Sequence, residues 1–221
     1  SASIPVTVNS VPTVNATITP STSCISSIAI PTAGGTATSY SWSGGLLDGQ
    51  PFLVPVGSNT YTVTGTDGIG CTASSTASLS GTAASGGLAP ATTSSSQTHG
   101  DDLNASYYDA SCNLIASVDD GVGGNILGLT TATVNVDATA GFHNGQPFVR
   151  RWYQITPASN GSADVQLYLT QADFDNYNSV VTAPYLPLPT GPADVTGIAN
   201  IRITKNTDAG LGNSPLELTP T

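Results

Sequence analysis

The sequence predicts an all-β chain: two β-sandwich domains, the second carrying one short helix, behind an N-terminal strand that belongs to neither. Three observations lead there. Of 221 residues only 8% are charged, Ser and Thr supply about a quarter, and Gly (24) and Pro (15) are frequent. β-Branched and hydroxyl side chains fit pleated surfaces, while Gly and Pro fit the turns between short strands. Second, runs rich in Val, Ile, Thr and Tyr recur roughly every 8–12 residues, with Gly34-Gly35 and Asp67-Gly68 as turn steps. Third, Trp42 lies between Cys24 and Cys71. Apolar residues make up 38% and are patterned, so the chain is no disordered polymer, and its length suffices for two cores.

The elements follow in order. In Ser1–Asn9, Ala2, Ile4, Val6 and Val8 alternate with Ser3, Pro5, Thr7 and Asn9. Side chains alternate between strand faces, so this segment has one apolar edge and one wet one. Val11-Pro12-Thr13 breaks the chain after it, and residues 1–12 are expected to act as a donor-type strand. A lone amphipathic strand cannot bury its own apolar side and needs a sheet that lacks one.

Residues 13–80 are expected to form the first sandwich, with strands near Val14–Ile18, Cys24–Ile30, Thr38–Ser43, Phe52–Val56, Tyr61–Thr66 and Thr72–Leu79. Strand spacing and the Cys…Trp…Cys order point to an immunoglobulin-like arrangement. Tyr61 stands ten residues before Cys71 rather than two, so it is not the antibody pattern. Residues 81–98 have linker composition.

Residues 99–221 are expected to form a second β-sandwich domain. Its strands fall near Asn104–Tyr108, Leu114–Val118, Thr130–Val136, Phe148–Thr156, Ala163–Leu169 and Ile198–Lys205. One helix interrupts them, with Thr170 as N-cap, Asp173 closing a capping box, and an end near Val180. Pro184, Pro187 and Pro189 exclude regular structure after it.

The net charge of −10, with 4 Lys and Arg, argues against a phosphate backbone as partner and disfavours an anionic membrane surface. No apolar run is long enough for a transmembrane helix. The sequence opens at Ser1, which fits a processed product or an excised fragment, and export is inferred from composition and cysteine usage. Of three cysteines, Cys24 and Cys71 bracket the first sandwich and are expected to pair, closing a loop of roughly 48 residues worth about 3–4 kcal/mol. Cys112 is then left over, as a small buried hydrophobe or bonded to a further chain or segment.

Ser41-Trp42-Ser43-Gly44-Gly45, the run from Ser58 to Asp67 and Gly70-Cys71-Thr72-Ala73 resemble tandem Ig-like and PKD-like modules of secreted Bacteroidota surface proteins. Those include adhesins, some linked to gliding motility. The stretches His99-Gly100-Asp101, Asp120 to Asn125, Leu167 to Phe174 and Gly197 to Ile201 resemble a module near the C-terminal end of such proteins, often before a type IX secretion sorting domain. The resemblance implies that Ser1–Asn9 is the last strand of a preceding module and that relatives carry strands beyond the equivalent of Thr221. It implies no enzymatic activity.

Catalytic constellations are poor. The chain has two histidines, His99 and His143, one glutamate, Glu217, and no G-x-S-x-G or H-E-x-x-H pattern. Asp101-Asp102 and Asp119-Asp120 are the candidates for a bound calcium ion, the one cofactor the composition leaves open. No D-x-D-x-D-G loop accompanies them, and solvated turn positions are the favoured reading. Arg150 and Trp152 lie in a strand with large groups on both faces, read as core packing ahead of a subunit interface or a glycan platform. The expected partner is a second copy of the chain, received through Ala2, Ile4, Val6 and Val8, in an extracellular, non-enzymatic filament. Surface glycans are the alternative partner, and a fragment of a longer tandem array the alternative origin.

Overall fold

A computed structural model describes residues 8–123, 126–143, 145–205 and 216–218. Strands account for 47% and helix for 8%, which makes the fold all-β with several sheets. The chain forms two compact units. The first holds the described chain up to Ala89 with Thr93–Thr133 and Gln154–Leu167; the second holds Pro90–Thr92, Val134–Tyr153 and the described residues from Tyr168 on.

In the first unit, β1 (Val14–Thr19), β2 (Thr22–Cys24), β3 (Ile28–Gly35), β4 (Ser39–Trp42), β5 (Phe52–Leu53), β6 (Gly57–Thr66) and β7 (Thr72–Thr82) build two sheets. Their orders are β1-β3-β5 and β2-β7-β6-β4. Ile18, Ala29, Trp42, Val54, Val63, Ala77 and Leu79 are buried together as the core. Trp42 needs a partner for its indole N–H once buried, and Asp48 Oδ1 accepts it at 3.0 Å. The same oxygen accepts the Ala33 N–H at 2.7 Å.

Local chemistry explains where the elements depart from the expected spans. The strand expected over Cys24–Ile30 is two strands, because Ser26 adopts a left-handed φ of 59° between them. β2 pairs in parallel with the end of β7, placing Cys24 opposite Thr82. β5 is only two residues long, with Pro51 and Pro55 on either side. Residues 93–98, expected within a linker, belong to a strand, β8 (Thr93–His99).

β9 (Asn104–Tyr108), β10 (Leu114–Asp119), β11 (Gly128–Val136), β12 (Gly141–His143), β13 (Gln146–Phe148), β14 (Arg151–Pro157) and β15 (Asp164–Leu167) follow. β15-β10-β9 is one antiparallel sheet, β14-β11-β8 another, and β12 and β13 form a hairpin. At Gly141 an added Cβ would sit 2.2 Å from the Phe148 ring, so the glycine lets that ring lie across the hairpin.

In the second unit α1 (Gln171–Asn178) carries the expected capping box: the Thr170 hydroxyl accepts the Asp173 N–H while the Asp173 carboxylate accepts the Thr170 N–H. Residues 179–194 hold no strand or helix. The strand expected over Ile198–Lys205 is instead α2 (Val195–Ala199) followed by β16 (Ile203–Lys205), which pairs with β17 (Leu216–Leu218). Asp194 makes the helix: its Oδ1 accepts the Gly197 N–H at 2.8 Å, an N-cap bond that a strand cannot use.

Candidate functional site

Of the donor-strand residues, Ala2, Ile4 and Val6 lie outside the described residues. Val8 is described, lies in backbone without strand pairing, and is 89% exposed.

The expected Cys24–Cys71 bond is overturned. Cys24 is bonded to Cys112, with Cα atoms 5.7 Å apart, and Cys71 is a free thiol. Strand length gives the reason. Cys24 lies opposite Thr82 at one end of β7, and Cys71 precedes its other end. Eleven residues of strand at about 3.3 Å each separate them by roughly 36 Å, whereas a disulfide needs Cα atoms within about 7 Å.

Cys71 and Cys112 sit in two copies of one turn. Asp67 Oδ1 accepts the N–H groups of Ile69 and Cys71, and Asp109 Oδ1 accepts those of Ser111 and Asn113. The third residue after each aspartate has positive φ, Gly70 at 91° and Cys112 at 58°. The first turn fills that position with glycine and the second with the bonded cysteine. Burial disfavours the Asp109 carboxylate, but bonds from Asn113 and Ser111 outweigh it and hold its pKa below the usual range.

The acidic pairs do not converge. Asp101 and Asp102 are exposed; Asp119 Oδ1 accepts the Gly121 N–H, and buried Asp120 turns Oδ1 to the Leu103 N–H. Among the described residues no three His, Cys, Asp or Glu side chains gather as metal ligands.

Asp120 instead belongs to a buried polar cluster. His99 Nδ1 lies 3.7 Å from Asp120 Oδ2, both side chains are sealed from solvent, and the imidazole stacks on Tyr107 with centroids 5.9 Å apart. Both His99 nitrogens, Tyr107 Oη and Asp120 Oδ2 are buried without a hydrogen-bond partner among the described residues. Burial drives the His99 pKa down against the opposing Asp120 carboxylate, and it pushes the Tyr107 phenol up. A sealed imidazole reaches no substrate. His143, by contrast, is exposed on the β12–β13 hairpin.

Arg150 and Trp152 are placed differently from the expected core. Along β14, Trp152, Gln154 and Thr156 take the exposed alternation and Arg151 the buried one. Trp152 is 43% exposed, and its indole N–H donates to Asp137 Oδ2 at 3.1 Å. Arg150 Nε donates to Asp173 Oδ1 at 3.0 Å and Arg151 Nε to Asp173 Oδ2 at 2.9 Å. Burial disfavours the charged Asp173, but bonds from Thr170 and Arg151 outweigh it and depress its pKa. The arginines therefore hold a helix start, Arg151 from a buried position and Arg150 with its side chain 28% exposed.

Two hollows mark the described surface. One, of about 500 Å³ in the first unit, lies over the disulfide and is lined by hydroxyl and amide groups such as Thr22, Ser95 and Gln97. The other, of about 240 Å³ in the second unit, is apolar, between Leu169, Phe174, Pro189 and Ile198. No family model, no curated protein and no solved structure matches this chain.

Proposed function

We propose that the chain is a non-enzymatic structural subunit of an extracellular filament, each copy giving its N-terminal strand to an open sheet of the next. The carrying observation is Val8. It is the described member of the alternating set Ala2, Ile4, Val6 and Val8, and at 89% exposure it is left open among the described residues. Strand addition satisfies backbone groups and fills alternate side-chain pockets. Burying Ile4, Val6 and Val8 contributes roughly 1.5–3 kcal/mol each, before the ordering cost. Donor and acceptor are different surfaces, so the contact is heterologous and propagates unless a ring closes. The disulfide accords with an oxidising compartment, and among the described residues no helix is long and apolar enough to cross a membrane. The full chain carrying Val6→Asp and Val8→Asp is the test: it should stay monomeric under conditions where the parent chain forms fibres in negative stain.

A second reading, a glycan-binding module, draws on Trp152, whose exposed ring is fixed by Asp137. Retention on a glycan array that Trp152→Ala abolishes would favour it.

A further inference from the structure

The strand-donation reading names a donor but no acceptor. We infer that the acceptor is the outer edge of β15 on a second copy, with the neighbour's Ser1–Asn9 added beside it; this rests on that reading. In the sheet β15-β10-β9 the register sorts side chains cleanly. Ala105, Val118 and Val165 stand in one row across the three strands, and Tyr107, Ala116 and Leu167 in the next, all on one face. The opposite face carries Asn104, Ser106, Ser117, Asp119, Asp164 and Gln166. Both apolar rows are fully buried on β9 and β10, then open at the last strand: Val165 is 40% exposed and Leu167 41%. Two ladders of apolar side chains thus reach the sheet edge with their final members half covered, as rows do when the next strand is missing.

Several of the other described edges are occupied or unsuited. On β9, Ser106 donates its N–H to the Ser26 carbonyl and accepts from Gln97 Nε2 on its own carbonyl, so that side is occupied. β5 is flanked by prolines. β1 and β4 turn Ile18 and Trp42 into the sandwich core and show Asn15, Thr17, Ser39 and Ser41 outward. β8 is mostly Ser, Thr and Gln.

The donor suits β15 in period and charge. Two successive apolar residues of the set Ile4, Val6 and Val8 have the i, i+2 spacing of Val165 and Leu167, and so continue both rows at once. Ser1–Asn9 contains no charged side chain in a chain of net charge −10, and it brings no carboxylate to an edge that already holds Asp164 and Asp119. Its polar members Ser3, Thr7 and Asn9 fall on the hydroxyl and amide face.

The test uses the full chain with Val6→Asp and Val8→Asp, silent as a donor, and a synthetic peptide of sequence Ser1–Asn9 as probe. Hydrogen exchange with the peptide bound should show new protection at residues 164–167. Adding Val165→Asp and Leu167→Asp, which replace side chains already exposed, should weaken peptide binding about tenfold or more with the thermal melt unchanged. Should the melt shift, Leu167→Ser alone serves, with a weaker loss expected. Peptide binding that protects another edge, or that survives these substitutions, overturns β15 as acceptor and leaves strand donation standing. Failure of the peptide to bind at all overturns strand donation itself.

Discussion

At the scale of single residues, two buried titratable groups respond to acid in different windows. His99 is sealed against Tyr107 and its pKa is lowered. The unfolded imidazole takes up a proton near pH 6.5 and the folded one does not, so unfolding gains protons as the pH falls below that value. Stability should therefore fall on acidification from about pH 6.5, by about 1.4 kcal/mol for each unit of depression, until the folded imidazole also titrates. Chemical denaturation at a series of pH values should show that slope, and His99→Phe should flatten it. Asp173 is the opposite kind of group. Its folded pKa is depressed, so its contribution is complete above the ordinary value of 3.8 and is lost as pH falls through the lower folded value. Because Arg151 is buried with it, Asp173→Ala breaks a buried ion pair, and a loss of about 3–5 kcal/mol in unfolding free energy is expected from chemical denaturation.

At the scale of elements, the disulfide is the strongest constraint in the first unit. It closes 88 residues of sequence. Cys24→Ser with Cys112→Ser should cost about 2–5 kcal/mol, whereas Cys71→Ser should stay within about 0.5 kcal/mol. Non-reducing peptide maps of the parent chain should recover the 24–112 pair and alkylated Cys71. The same elements show what the sequence made legible and what it hid. Thr170 and Asp173 announce α1 because a capping box is a local exchange of hydrogen bonds three residues apart. β9 is legible from its own alternation and ends where expected, at Asn104 and Tyr108. The cysteine pairing was hidden because it depends on which end of an eleven-residue strand each cysteine reaches, a property of register and not of spacing around Trp42. α2 was hidden because Val195–Ala199 is apolar and short, and only the Asp194 cap separates helix from strand. The partner of His99 was hidden too: Asp120 reads in sequence as half of an acidic turn, and only the fold turns it inward.

At the scale of the whole molecule, the proposed strand donation would pair the alternating segment Ser1–Asn9 with the β15 edge of the sheet β15-β10-β9. The chain is rich in hydroxyl groups and only 8% of its residues are charged, and Ser1–Asn9 itself brings no charged side chain to resist edge pairing. A donor that carries no charge and an edge that carries two half-exposed aliphatic side chains are complementary in the one respect that strand addition requires. Under the proposed strand donation, the contact would run from one copy's first residues to another copy's β15, so every copy would offer both halves and growth would have no built-in stop. The most direct test of this claim is negative-stain imaging of the purified full chain beside its Val6→Asp, Val8→Asp variant at equal concentration. Fibres from the parent chain and dispersed particles from the variant are the predicted result; fibres of equal length and number from both would contradict it.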